Sequence, residues 1–159
     1  MERGEGPIQK VKKFLVRFFS SCGFLGFLPA PGAWGSLVGF ALAWYFSSYL
    51  VIVLVFFTLF GYALTLAAER AFSSGDPGPF VMDETCGMML SVVFLPHTLS
   101  FYIAAYVLFR ILDVWKPGPI GLLEKKWHPY SIMNDDMAAG LFTNLILQAV
   151  LMLTSRIGI

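Results

Sequence analysis

A chain of 159 residues that is 57% hydrophobic and only 13% charged, with a mean hydropathy of +0.72, departs from soluble domains, which carry about a quarter charged residues. Its composition reads as an all-α integral membrane protein, with length for one membrane domain over residues 1–159 and none for a second. The net charge of +1 says nothing about partners, but the few, dispersed Lys and Arg make no nucleic-acid patch; Cys22 and Cys86 lack zinc spacing, and Cys86 reads as a buried free thiol.

The first 22 residues form the first expected element. Read as a helix, Ile8, Val11, Leu15, Phe18 and Cys22 make an apolar stripe, and Lys10, Lys13 and Arg17 a basic one. Pro7 suits a first helical turn. This pattern predicts an amphipathic helix lying in the membrane interface, not a cleaved signal, because Arg17 interrupts the apolar run.

Residues 23–159 predict a polytopic helical bundle. Leu37 to Ala68 contains no charged residue or histidine. As one helix it would reach roughly 48 Å against a hydrocarbon core of about 30 Å. A turn at Ser47-Ser48 divides it into a short helix from Gly35 to Phe46 and a second from Tyr49 to Phe72. A third helix is expected from Val81 to Leu95, before Pro96-His97. A fourth begins near Ser100 and ends near Trp115, because the residue before Pro117 is pushed out of helical geometry. The last runs from Asp135, capped by Asn134, to Thr154.

Counting crossings places Asp83-Glu84, Arg110, Asp113, Lys116 and Asp135-Asp136 on one face of the membrane. Lys10 to Arg17 lie there too, so the positive-inside rule makes that face cytoplasmic. Membrane proteins avoid carboxylates at span boundaries unless something uses them. Each cluster has two readings. Asp83-Glu84 and Asp135-Asp136 either complement positive helix starts or bind a cation. Arg110, Asp113 and Lys116, spaced i, i+3, i+6, make either a surface ion pair or a metal-binding carboxylate flanked by two phosphate-binding cations. Hard oxygen ligands favour magnesium over zinc. His97, on the opposite face, and His128, alone in a loop, are expected to be non-ligands. The Gly- and Pro-rich segment Phe24 to Ser36 is either a plain connector or leads to a phosphate-binding helix N-terminus at Gly35.

Four segments carry a resemblance: PAPGAWGSL (29–37), VMDETCGMM (81–89), FRILDVWKPGPI (109–120) and IMNDDMAAG (132–140). In order and spacing the chain resembles the phosphatidylglycerophosphatase A family of bacterial membrane lipid phosphatases. The Arg-x-x-Asp-x-x-Lys-Pro-x-Pro run is the most specific part. The resemblance implies magnesium-dependent removal of the terminal phosphate of phosphatidylglycerophosphate, in the bacterial cytoplasmic membrane with the active site facing the cytoplasm. It puts the acidic positions on Asp83, Glu84, Asp113, Asp135 and Asp136, the expected metal ligands. The cationic positions fall on Arg110 and Lys116. Catalysis is expected of Asp83, Glu84, Asp113, Arg110 and Lys116, and substrate binding of Arg110, Lys116, Gly35, Ser36 and Asn134. The expected partners are a membrane phospholipid and the bilayer. The chain departs from the family at Ala33, where Thr is usual, at Thr85-Cys86, where aliphatic residues are usual, and at His128 to Ser131, which is less Gly-rich. The rival readings are a phosphatase or phosphotransferase for another lipid phosphate, and a small cation or proton transporter, which would need acids near the midplane.

Overall fold

The computed structural model describes residues 6–72, 78–116, 118 and 131–157. Among them are six α-helices: α1 (Pro7–Ser20), α2 (Pro31–Tyr45), α3 (Leu50–Phe72), α4 (Met82–Ser91), α5 (Leu99–Trp115) and α6 (Ser131–Ile157). Short 3-10 turns at Leu25–Phe27 and Ser47–Tyr49 join α1 to α2 and α2 to α3. The second of these is the expected break at Ser47-Ser48. The loop positions His128 to Tyr130 lie outside the described residues.

Helix α1 has Pro7 in its first turn and leaves its apolar side open, with Ile8 71% and Phe14 57% exposed. Its C-terminal end is tied down. The Val81 N–H donates to the Ser20 carbonyl at 2.9 Å, and Phe19 meets Phe60 edge-on at 5.6 Å. Cys22 Sγ lies 3.5 Å from Thr85 Oγ1. Burial raises the Cys22 thiol above its ordinary pKa, partly offset by the Thr85 hydrogen bond, which leaves it a poor nucleophile.

Among the described residues, two helices are long and apolar enough to cross a membrane: Ser47–Thr65, with mean hydropathy 2.1, and Ile132–Arg156, with 1.7. Ile52, Phe56 and Leu59 of α3 and Met152 and Leu153 of α6 all point outward, an apolar surface that water would not favour.

Three boundaries differ from expectation. Helix α2 starts at Pro31 rather than Gly35, entered through Ala30 in the left-handed region. Helix α6 starts at Ser131 rather than Asp135, so Asn134 is inside the helix and does not cap it. Helix α4 stops at Ser91 rather than Leu95. There Asn144 Nδ2 of α6 donates to the Ser91 and Val93 carbonyls at 3.2 and 2.7 Å. Gln148 Nε2 also reaches the Val93 carbonyl, at 3.3 Å. These amides satisfy carbonyls that a helix end leaves unpaired.

Helix α4 is the centre of the molecule. Met82, Asp83, Thr85 to Met89 and Ser91 are all buried. It packs between α2 and α6 at backbone distance, because small residues face it on both sides. A Cβ on Gly140 would lie 2.3 Å from the Gly87 carbonyl oxygen, and one on Gly39 2.4 Å from that of Thr85. The far end of the bundle is closed by aromatics. Trp44 lies 4.1 Å from His97 and 5.1 Å from Tyr102, and the Tyr102 hydroxyl donates to the Ala43 carbonyl.

Gly140→Ala is expected to force α4 and α6 apart at a cost of about 1–3 kcal/mol, typical of overpacking. Thermal unfolding in detergent would show it as a lowered Tm, whereas Leu141→Ala, on the exposed side of α6, should change little.

Candidate active site

Every described charged residue singled out from the sequence lies at one end of the bundle. Helix α4 begins there with Asp83 and Glu84 in its first turn, α5 ends there with Arg110, Asp113 and Lys116, and α6 begins there with Asp135 and Asp136. His97, against Trp44, is about twelve residues along α2 from the site end, or roughly 18 Å.

Asp83, Glu84 and Asp136 converge: each offers a carboxylate oxygen, and these oxygens lie within 4.8 Å of one another. Adjacent residues diverge by about 100° on a helix, yet Asp83 and Glu84 both reach this point, the longer Glu84 side chain crossing the gap. Asp83 and Asp136 are buried. Asp83 Oδ1 accepts the Glu84 N–H at 3.0 Å. Glu84 Oε2 is buried and has no hydrogen-bond partner among the described residues. Three carboxylates this close, two buried and one half-buried, repel one another strongly unless protonated or joined by a cation. The unpaired Glu84 oxygen and the all-oxygen donor set fit a hard divalent ion.

The other two acids hold cations. Asp113 accepts from Arg110 Nη1 one turn earlier on α5. Asp135 Oδ2 lies 2.5 Å from Lys116 Nζ, which joins α5 to α6. Lys116 adopts a left-handed backbone, φ 43°, as the cap of α5 before Pro117. Adjacent acids thus go to different tasks, Asp136 to the convergent group and Asp135 to Lys116.

Helix α2 meets the site through Gly32 and, against the Glu84 Cβ, Gly35. A Cβ on Gly32 would lie 2.7 Å from Glu84 Oε1 and 2.8 Å from Arg110 Nη1, so a larger residue there would displace the ends of both side chains. Gly35 packs against Val81 one turn further on, and the buried Ser36 hydroxyl donates to the Gly32 carbonyl at 2.7 Å. Asn134 accepts a hydrogen bond from the Tyr62 hydroxyl of α3. Sequence reasoning missed Gly32 and Tyr62. The run of Gly32, Gly35 and Gly39 on one side of α2 was the available signal for the first. Tyr62, in the middle of a charge-free run, offered none.

A helical bundle with a buried carboxylate trio, flanked by an arginine and a lysine at one end, has the equipment of a phosphomonoester hydrolase acting at a membrane surface. Comparison with known proteins makes this specific. The family model for phosphatidylglycerophosphatase A matches residues 18–151. A phosphatidylglycerophosphatase A of Haemophilus influenzae is 31% identical over 91% of this chain and 94% of its own length. Its Escherichia coli counterpart is 34% identical over 74% and 72%. A Bacteroides thetaiotaomicron protein, provisionally named a phosphatidylinositol-3-phosphatase, is 30% identical over 77% and 84%. No solved structure matches the chain significantly. The chain belongs to the phosphatidylglycerophosphatase A family. Membership makes it a lipid phosphatase, a phosphoric monoester hydrolase of phosphatidylglycerol synthesis.

A divalent cation at about a hundred times its Kd should stabilise the parent protein by about 2.7 kcal/mol. Thermal unfolding with magnesium and with EDTA measures this. Asp136→Asn is expected to remove most of the increment, while leaving the EDTA Tm unchanged or higher because a buried repulsion is relieved.

Proposed function

We propose that the acidic end of the bundle hydrolyses the terminal phosphomonoester of phosphatidylglycerophosphate at the cytoplasmic head-group level, with magnesium held by Asp83, Glu84 and Asp136. The observation that carries this reading is the convergence of three carboxylates, one with an unpaired buried oxygen, beside Arg110 and the start of α2. When bound, such an ion offsets charge on phosphoryl oxygens and makes a bound water more acidic.

The chain's own residues supply the rest. Arg110, held by Asp113, presents a planar fork suited to two phosphoryl oxygens, and Lys116, held by Asp135, adds a point charge. Both counter the negative charge that grows on those oxygens in the transition state. We assign Asp113 and Asp135 to positioning these cations. Asp83, Glu84 and Asp136 can also orient the attacking water and accept its proton. The positive end of α2, brought close by Gly32, favours an anion there.

The membrane placement follows the same geometry. We read α3 and α6 as crossing the bilayer and α1 as lying on its cytoplasmic surface. The Ser20–Val81 hydrogen bond brings the basic helix to the site end, which supports a cytoplasmic site under the positive-inside rule. Acids gathered at one end disfavour the transporter reading, which needs them at midplane.

Purified protein in detergent micelles should release phosphate from phosphatidylglycerophosphate with magnesium and not with EDTA. Asp83→Asn should lower kcat about 10²–10³-fold, the scale of losing a main charge-stabilising group. Arg110→Lys should also lose activity, because a lysine cannot make the bidentate contact. Faster release from a phosphorylated inositol lipid would reassign the head group; no release from any lipid monoester by folded, metal-supplied protein would overturn the reading.

A further inference from the structure

An apolar concavity lies near the start of α4, and nothing in the hydrolytic chemistry requires it. It is a slot of about 520 Å³, the size of many ligand sites. Phe18 and Phe19 of α1, Val38 and Leu42 of α2, and Phe57 and Phe60 of α3 form its walls. No lining residue carries a charge. Val38 and Leu42, four residues apart, put successive turns of α2 along it, so the slot runs lengthwise between α2 and α3.

Its lining reaches the start of α4. Met82, which immediately precedes Asp83, also lines the slot, as does Cys22, whose Sγ lies 3.5 Å from Thr85 Oγ1 on α4. Helix α1 closes the top through the Phe19–Phe60 contact. The other side of α1 is a groove of opposite character, lined by Lys10, Lys13 and Arg17 together with Phe14, Phe24 and Phe27. An apolar slot beside the start of α4, next to a helix with a cationic flank, matches an anionic amphiphile with its phosphate at the acids and its tail in the slot.

We infer that this slot seats one acyl chain of the lipid substrate, so that the protein reads the tail as well as the phosphate; the inference rests on the lipid phosphatase reading above. Binding energy from this remote part of the substrate then holds the phosphomonoester against Arg110 and the carboxylates. It also sets a selectivity that the head-group chemistry alone does not supply.

Steady-state kinetics on two substrates tests it: phosphatidylglycerophosphate with long acyl chains in mixed micelles, and its water-soluble dihexanoyl analogue. Val38→Trp and Leu42→Trp fill the slot. For the long-chain lipid each is expected to raise KM about tenfold, the effect of roughly two methylenes losing apolar contact. With the short-chain analogue, kcat/KM should stay within about twofold of the parent, which also shows that the variants fold. A long-chain substrate carrying a mid-chain diazirine should label residues 38–42 or 56–60 on illumination, a readout independent of turnover. Equal losses on both substrates, no change on either, or labelling confined to other helices would each overturn the slot. If the parent protein hydrolyses neither substrate, the hydrolase reading itself falls, and the slot's role falls with it.

Discussion

Everything at the site depends on how closely α4 is held between its neighbours. Gly87 and Gly140 let the α4 and α6 backbones touch, and Gly39 does the same between α2 and α4. Side chains of ordinary size at those points would hold the helices apart by the few ångströms that separate a cluster of carboxylates from isolated ones. The glycines sit one turn beyond the acids on their own helices: Gly87 follows Glu84 by three residues and Gly140 follows Asp136 by four. Close backbone contact at one turn therefore fixes side-chain convergence at the next. The fold bears the electrostatic strain of three neighbouring acids because van der Waals packing, which is indifferent to charge, positions them.

Much of this was legible in the chain itself. Charges avoid apolar runs, so they mark helix ends, and counting ends from Gly35 onward was enough to gather Asp83, Arg110, Asp113, Lys116 and Asp136 at one end. The break at Ser47-Ser48 was visible because no single helix could hold so long an uncharged stretch. The stripe on α1 was visible because its period is that of a helix.

What was not legible depended on partners distant in sequence. Helix α4 ends at Ser91, where Asn144 and Gln148, more than fifty residues later, take the carbonyls of Ser91 and of Val93 just beyond it; nothing local between Ser91 and Leu95 forbids another turn. Asn134 looked like a cap because it precedes two acids, but Ser131 starts the helix and Tyr62 claims the amide from the side. Division of labour among the five acids was hidden for a similar reason. Asp135 and Asp136 are alike in sequence, and only their angular separation around α6, set against the positions of Lys116 and α4, sends one to a salt bridge and the other to the trio.

The aromatic closure at the far end has a consequence for the bilayer as a barrier. A polar site opened into a membrane from one side risks completing a wire along which protons or ions leak, and α4 is only ten residues long, so the acids are not far from the opposite half of the membrane. Beneath α4 the chain places Phe40, Trp44, His97 and Tyr102 in mutual ring contact, with the Tyr102 hydroxyl and the His97 ring each engaged by a backbone carbonyl. Under the membrane placement proposed above, such a stack would stand between the carboxylates and the far side of the bundle. A hydrolytic centre placed that way would leave the gradient across the membrane intact.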